Sequence, residues 1–124
     1  MARRHSLVLV GLLAGSAVAD SPYPPLEGAA AEGRALWLEN CEGCHGYGIA
    51  DAPIPMQPEQ WTFRLNKGMT VLYDHAINGF IGPDYSMMPA RGGNEKLTDA
   101  EVKAAVDYMT GLARHYIQIK RKAQ

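Results

Sequence analysis

Cys41-Glu42-Gly43-Cys44-His45 decides how this chain is read. Two thiols at this spacing lie one helical turn apart, so both can reach the two vinyl groups of one porphyrin. The histidine that follows brings an imidazole to the iron. C-x-x-C-H is the attachment signal of c-type haem. It predicts one haem c, joined through Cys41 and Cys44, with His45 as the proximal ligand. Three other readings use the same residues. A thioredoxin-type dithiol opens a helix after a strand in a βαβ context, and no such pattern surrounds Cys41. A structural zinc site needs about four ligands, and these are the only two cysteines in the 124-residue chain. A disulfide between them would close too short a loop to gain much.

Outward toward the N-terminus, residues 1–19 have the form of a cleavable secretion signal. Arg3 and Arg4 make a positive start, Leu7 to Ala14 an apolar stretch, and Ala17-Val18-Ala19 a small-x-small site before Asp20. The apolar stretch is shorter than the roughly 20 residues a membrane span requires. An uncleaved anchor is the competing reading. No cysteine stands at the cleavage site to take a lipid, and Arg3-Arg4 matches a twin-arginine signal only weakly. The expectation is a soluble periplasmic protein with no stable membrane insertion once processed. Export suits haem attachment, because cysteines outside the cytoplasm tend to be consumed in covalent links.

Residues 20–124 then form one small domain of about 105 residues. Such a length builds a modest core, to which a buried haem would add apolar contact. The formal charge of −1 for the whole chain falls to about −3 without Arg3 and Arg4. That argues against nucleic acid as a partner. Lys120-Arg121-Lys122 is a local basic cluster, read as solvated, within a basic stretch at 114–124 that either extends the last helix or forms a tail.

The periodicities are helical. Leu26 to Asn40, rich in Ala, Glu and Leu, predicts a helix running into the haem motif. Gly46 to Pro58 is loop. Glu59 to Lys67 and Val71 to Asn78 predict two short helices parted by Gly68, and Gly79 to Asn94 is loop again. Thr98-Asp99-Ala100-Glu101 is a capping box. Behind it Val102, Ala105, Val106, Met109 and Leu112 recur at helical spacing. No strand shows convincing alternation, and no second C-x-x-C-H occurs. The expected class is all-α with one haem.

With these pieces in order, the chain resembles a class I cytochrome c, most of all the cytochrome c5 branch. The resemblance rests on Gly33-x-x-x-Trp37 before the haem motif, Ala52-Pro53, Trp61-x-x-Arg64 and Ala76-Ile77-Asn78-Gly79. Met88-Pro89-Ala90-Arg91-Gly92-Gly93 then leads into Leu97 to Met109. It covers about Gly33 to Met109. It implies crossed N- and C-terminal helices, meeting at Gly33 and Trp37 with Tyr108 as the aromatic from the last helix. Members of that branch often carry a further cysteine pair near the end of the distal loop. This chain has Leu97 in that region and no spare cysteine.

The resemblance also implies site roles. Met88 would be the second axial ligand, because the family places it directly before a proline. Met87 is its rival by adjacency. Met109 reads as core, Met56 and Met69 have no supporting context, and His75 and His115 read as surface or satisfied residues. Pro53 would accept from the second ring nitrogen of His45 through its carbonyl, though a stiff structural turn serves equally. Trp61 and Arg64 would face the haem propionates, or Arg64 would simply be exposed. The implied function is one-electron transfer between transient redox partners by a monomeric, non-enzymatic protein. Two alternatives stay open: a haem subunit of a periplasmic oxidoreductase, for which the 114–124 extension would serve, and an open-site sensor or peroxidase-like protein.

Overall fold

The computed structural model describes residues 21–124. The expected signal and its cleavage boundary at Asp20 lie outside the described residues. Two helices carry the architecture. Helix α1 (Ala29–Asn40) starts after Gly28, whose φ of 67° is left-handed. Leu26 and Glu27, expected inside it, instead belong to the non-helical strap of residues 21–28 that precedes it. Its end at Cys41 passes almost at once into the short α2 (Glu42–His45). Three shorter helices, α2 among them, lie between α1 and the C-terminal helix, α5 (Asp99–Lys122). The capping box forms as expected: Glu101 N–H donates to the Thr98 hydroxyl at 3.1 Å, and Thr98 N–H donates to the Glu101 carboxylate at 3.0 Å.

Helices α1 and α5 cross at Gly33, where backbone meets backbone. A Cβ built at Gly33 would stand 1.7 Å from the Ala104 carbonyl oxygen. No other residue type fits that spacing. One turn on, Trp37 meets Tyr108 with ring centroids 5.6 Å apart, and Tyr23 of the strap packs edge-on to Trp37 at 5.0 Å. Large aromatics bury roughly 150–250 Å² each, so this cluster with Leu112 and Trp61 is the main core. The strap is tied to α5 by side-chain donors. The Tyr108 hydroxyl donates to the Pro24 carbonyl at 2.9 Å and the Tyr116 hydroxyl to the Pro22 carbonyl at 2.8 Å.

Residues 114–122, expected as extension or tail, continue α5 as helix. Tyr116 and Ile117 pack on the main core, and Lys120 pairs with Glu59 at 3.6 Å. The helix expected over 59–67 breaks in two. Pro58–Gln60 is a 3₁₀ turn, and only Thr62–Leu65, α3, is α-helical. The buried Trp61 sits at the joint. Helix α4 (Met69–Asn78) begins two residues earlier than expected, directly after Gly68. Its Ala76 joins Leu97, Val102 and Val106 in a second, smaller core.

Two two-residue strands, β1 (Phe80–Ile81) and β2 (Met87–Met88), pair antiparallel, with Phe80 opposite Met88 and Ile81 opposite Met87. Such a ladder is too short to show alternation in sequence, and the all-α class stands. Gly79, at φ 87°, turns the chain from α4 into β1 where a Cβ would lie 3.1 Å from the Met88 carbonyl oxygen.

Candidate haem site

The C-x-x-C-H segment is helical because α1 feeds it. His45 N–H donates to the Cys41 carbonyl at 3.0 Å, one turn back, and Gly46 N–H to Glu42 at 2.8 Å. This stacks Cys41 and His45 on one side of α2. Cys41 is half-buried and Cys44 exposed. Burial first, then the neighbouring Cys44, pushes the Cys41 thiol up to about 11. A low-pKa attacking thiol is the mark of a redox dithiol, and Cys41 is shifted in the opposite direction.

His45 is buried, and its Nδ1 lies 2.9 Å from the Pro53 carbonyl oxygen. A carbonyl can only accept, so Nδ1 carries the proton and Nε2 keeps its lone pair. Burial lowers the imidazole pKa below its ordinary value; the Pro53 carbonyl opposes this and the charge of Arg64 adds to it. The result is a neutral ring, fixed in tautomer and orientation, as a metal-ligating histidine requires.

An open cavity of about 140 Å³ lies against Cys41, Cys44 and His45, with Arg64, Phe80 and Met88 also on its walls. A narrower inner cavity of about 20 Å³ shares Cys41, His45 and Met88 and is otherwise mostly apolar. Its wall includes Val102, Ala105, Val106 and Met109, one face of α5 at i, i+3, i+4, i+7. The helical stripe visible in sequence is therefore a cavity wall as well as core.

The β ladder separates the two adjacent methionines. Residues opposite each other share a face of the pair, so Met88 goes with Phe80 and Met87 with Ile81. Met88 is half-buried and packs on the Ala76–Leu97–Val102–Val106 cluster. Met87 is 59% exposed and reaches only the outer mouth. Of the remaining methionines, Met109 is core and cavity wall, while Met56 and Met69 pack against the two cores. His75 is half-buried and stacks on Phe80 at 4.1 Å without lining either cavity. His115, expected at the surface, is half-buried against Tyr116.

Trp61 and Arg64, expected together, are parted. Arg64 lines the outer cavity, and its Nη1 donates to the Gln60 carbonyl. Trp61 is 2% exposed, belongs to the aromatic core and does not line the cavity. Its Nε1, like that of Trp37, finds no hydrogen-bond acceptor among the described residues, which leaves a buried donor in need of one. Sequence reasoning gave Phe80 and Arg91 no role, although both line the cavities. For Arg91 the one signal was a cation inside an otherwise uncharged Met88–Gly93 turn.

The chemistry of the site fits a haem. It combines a thiol pair at the mouth, a neutral oriented imidazole, a thioether on the same cavity, an apolar slot and, at the outer mouth, the Arg64 cation for carboxylates. Fold and site together define a small helical haem-binding domain. Comparison with known proteins carries this further. The family model described as cytochrome C oxidase, cbb3-type, subunit III matches residues 28–109. Cytochrome c-555 of Chlorobaculum tepidum is 39% identical over 117 residues, covering 92% of this chain and all of that protein. Cytochrome c5 of Azotobacter vinelandii is 30% identical over 87 residues, covering 68% of this chain and 99% of that one. A chain in the crystal structure of an electron transfer complex of nitrite reductase with cytochrome c superposes with a TM-score of 0.59. It is 34% identical, over 72% of this chain and 99% of that chain. The chain belongs to the class I c-type cytochromes, a family that carries covalently bound haem c.

Proposed function

We propose that this protein is an exported one-electron carrier with a single haem c, linked through Cys41 and Cys44 and held between His45 and Met88. The observation that carries the reading is the placement of Met88. It shares both cavities with His45, while its neighbour Met87 faces outward. When bound, the haem supplies iron that changes charge by one electron. The chain does the rest. Pro53 holds His45 in one tautomer, and Met88 offers a soft sulfur that favours the ferrous state and raises the potential. Val102, Val106 and Leu97 exclude water from the inner face. Arg64 offers a cation to carboxylates at the mouth.

Partners would meet the cavity mouth, where Ile49, Phe80 and Met87 leave large apolar side chains exposed. Redox encounters of this kind are small and transient. Export rests on residues 1–19; among the described residues no helix is long and apolar enough to cross a membrane. The reading as a dedicated subunit leaned on the 114–124 extension, of which Tyr116 and Ile117 pack on the main core and 118–124 are exposed.

The test is a spectrum of holoprotein from an export-competent host, with its intact mass. The expected mass is a chain starting at Asp20 plus one haem, and retention of Arg3 and Arg4 would favour the anchored form. Ferric iron should be low-spin with a thioether charge-transfer band, and the ferrous form slow to take carbon monoxide. Met88→Ala should abolish the band, lower the potential and open the iron to ligands; Met87→Ala should change little. The reverse pattern would move the ligand to Met87. Fast, tight carbon monoxide binding by the unmodified protein would replace the carrier with a sensor or enzyme.

A further inference from the structure

Arg91 has an uncommon backbone. Its φ is 56°, and it opens a left-handed run with Gly92 at 64° and Gly93 at 87°. Left-handed conformations are unfavourable for a bulky non-glycine residue and persist only where the surroundings hold them. Here the holding groups are visible. Arg91 Nη1 donates to the Leu97 carbonyl at 3.0 Å, and Nη2 to the Asp99 carboxylate at 2.6 Å. Asp99 is the first residue of α5, and Leu97 stands just before its cap. The side chain spans from the turn after Met88 to the start of the longest helix. It also lines the inner cavity beside Met88 and His45.

Other ties hold this segment as well: Met88 packs on the Ala76–Leu97–Val102–Val106 cluster, and Gly92 N–H donates to the Pro89 carbonyl at 3.2 Å. Met88 pairs with Phe80 in a two-residue ladder, and Asn94 Nδ2 donates to Asn40 Oδ1 at 2.8 Å. From these contacts we infer that Arg91 is a positioning residue for the axial methionine: its two-headed grip on Leu97 and Asp99 keeps the Met88 loop closed over the iron. This rests on the His45/Met88 reading above. An exposed ion pair alone is worth little. The planar fork, holding a carbonyl and a carboxylate together, is what a lysine could not reproduce.

The test compares the parent with Arg91→Met, which keeps an apolar stem on the cavity wall and removes the fork. Arg91→Gly is the second variant; it relieves the left-handed backbone, so it folds even if the first does not. Urea titrations of the holoproteins follow the thioether band and far-ultraviolet helicity side by side, with carbon monoxide uptake by the ferrous form and amide exchange in 88–94 as further readouts. In both variants the band should fade at lower urea than helicity, and carbon monoxide uptake and loop exchange should rise about tenfold, the equivalent of ~1.4 kcal/mol. Arg91→Lys should restore only part of the loss. If band and helicity shift together, or neither moves, the clamp is wrong and Arg91 is at most an ordinary structural residue. A parent without the band overturns the His/Met reading itself; a parent with it and unaffected variants overturns only the clamp.

Discussion

The crossing of α1 with α5 and the loop that carries Met88 are held by different means. At the crossing, backbone touches backbone at Gly33, and aromatic rings from three segments interlock. Its hydrogen bonds join residues 84 and 94 positions apart. In the loop most ties are short-range: Gly82 to Ser86, Arg91 to Leu97, Arg91 to Asp99. The first region cannot open without global unfolding, whereas the second can open locally at lower cost. The half that offers His45 is thus built into the fold, and the half that offers Met88 is fastened onto it.

The largest effect should come from breaking the first half. Gly33→Ala puts a methyl group into the Ala104 carbonyl, so the helices must part. Overpacking costs typically about 1–3 kcal/mol, and this contact has no flexible neighbour to yield, so the upper end is expected. With about 4–8 °C per kcal/mol for a domain of this size, thermal unfolding should shift by well over 10 °C by that scaling. The thioether band and helicity should fall together. A band that fades first would show that the crossing is not the global keystone.

Tyr116→Phe sharpens the comparison with a smaller change. It removes the donor to the Pro22 carbonyl, a partly exposed bond worth about 1 kcal/mol at most. Denaturant unfolding should show that loss with the band and carbon monoxide uptake unaltered. A shift in the band would mean the strap reaches the loop. The smallest effect lies at the cap. Bonds from the Thr98 backbone N–H and then its hydroxyl hold the Glu101 carboxyl below its usual value. A depressed carboxylate stabilises above its unfolded pKa, near 4.3, and loses that contribution as pH falls through the folded value. Glu101→Gln should therefore be slightly less stable than the parent at neutral pH, with the gap closing below about pH 4. A gap constant with pH would assign the effect to packing.

What was legible in the sequence was local or periodic. C-x-x-C-H, the capping box and the Val102–Met109 stripe each lie within a few turns; the box and the stripe form as read, and the C-x-x-C-H segment is helical. The meeting of Gly33, Trp37 and Tyr108 came through family resemblance. What escaped depends on where distant segments land. Trp61 sits at a break between two turns, where no period says which way a ring points, and it went to the core instead of the cavity. Residues 114–122 extend the last helix, one of the two readings the sequence left open, but that Tyr116 and Ile117 pack on the main core was not read. The Arg91 grip needs a left-handed backbone to aim it, and nothing in Arg-Gly-Gly specifies that for the arginine.

Helix α5 belongs to both regions at once, and that limits how the protein can be redesigned. Ala104 meets Gly33 through its carbonyl, and its neighbour Ala105 lines the inner cavity. Adjacent residues on one rigid rod thus answer to two different neighbours. Ala76, on α4, lines the same cavity without sharing in the crossing. An engineer wishing to reshape the space around the iron has freedom on α4 that α5 denies: a new side chain there spends its volume in the cavity, while one on α5 also resets the angle of the frame.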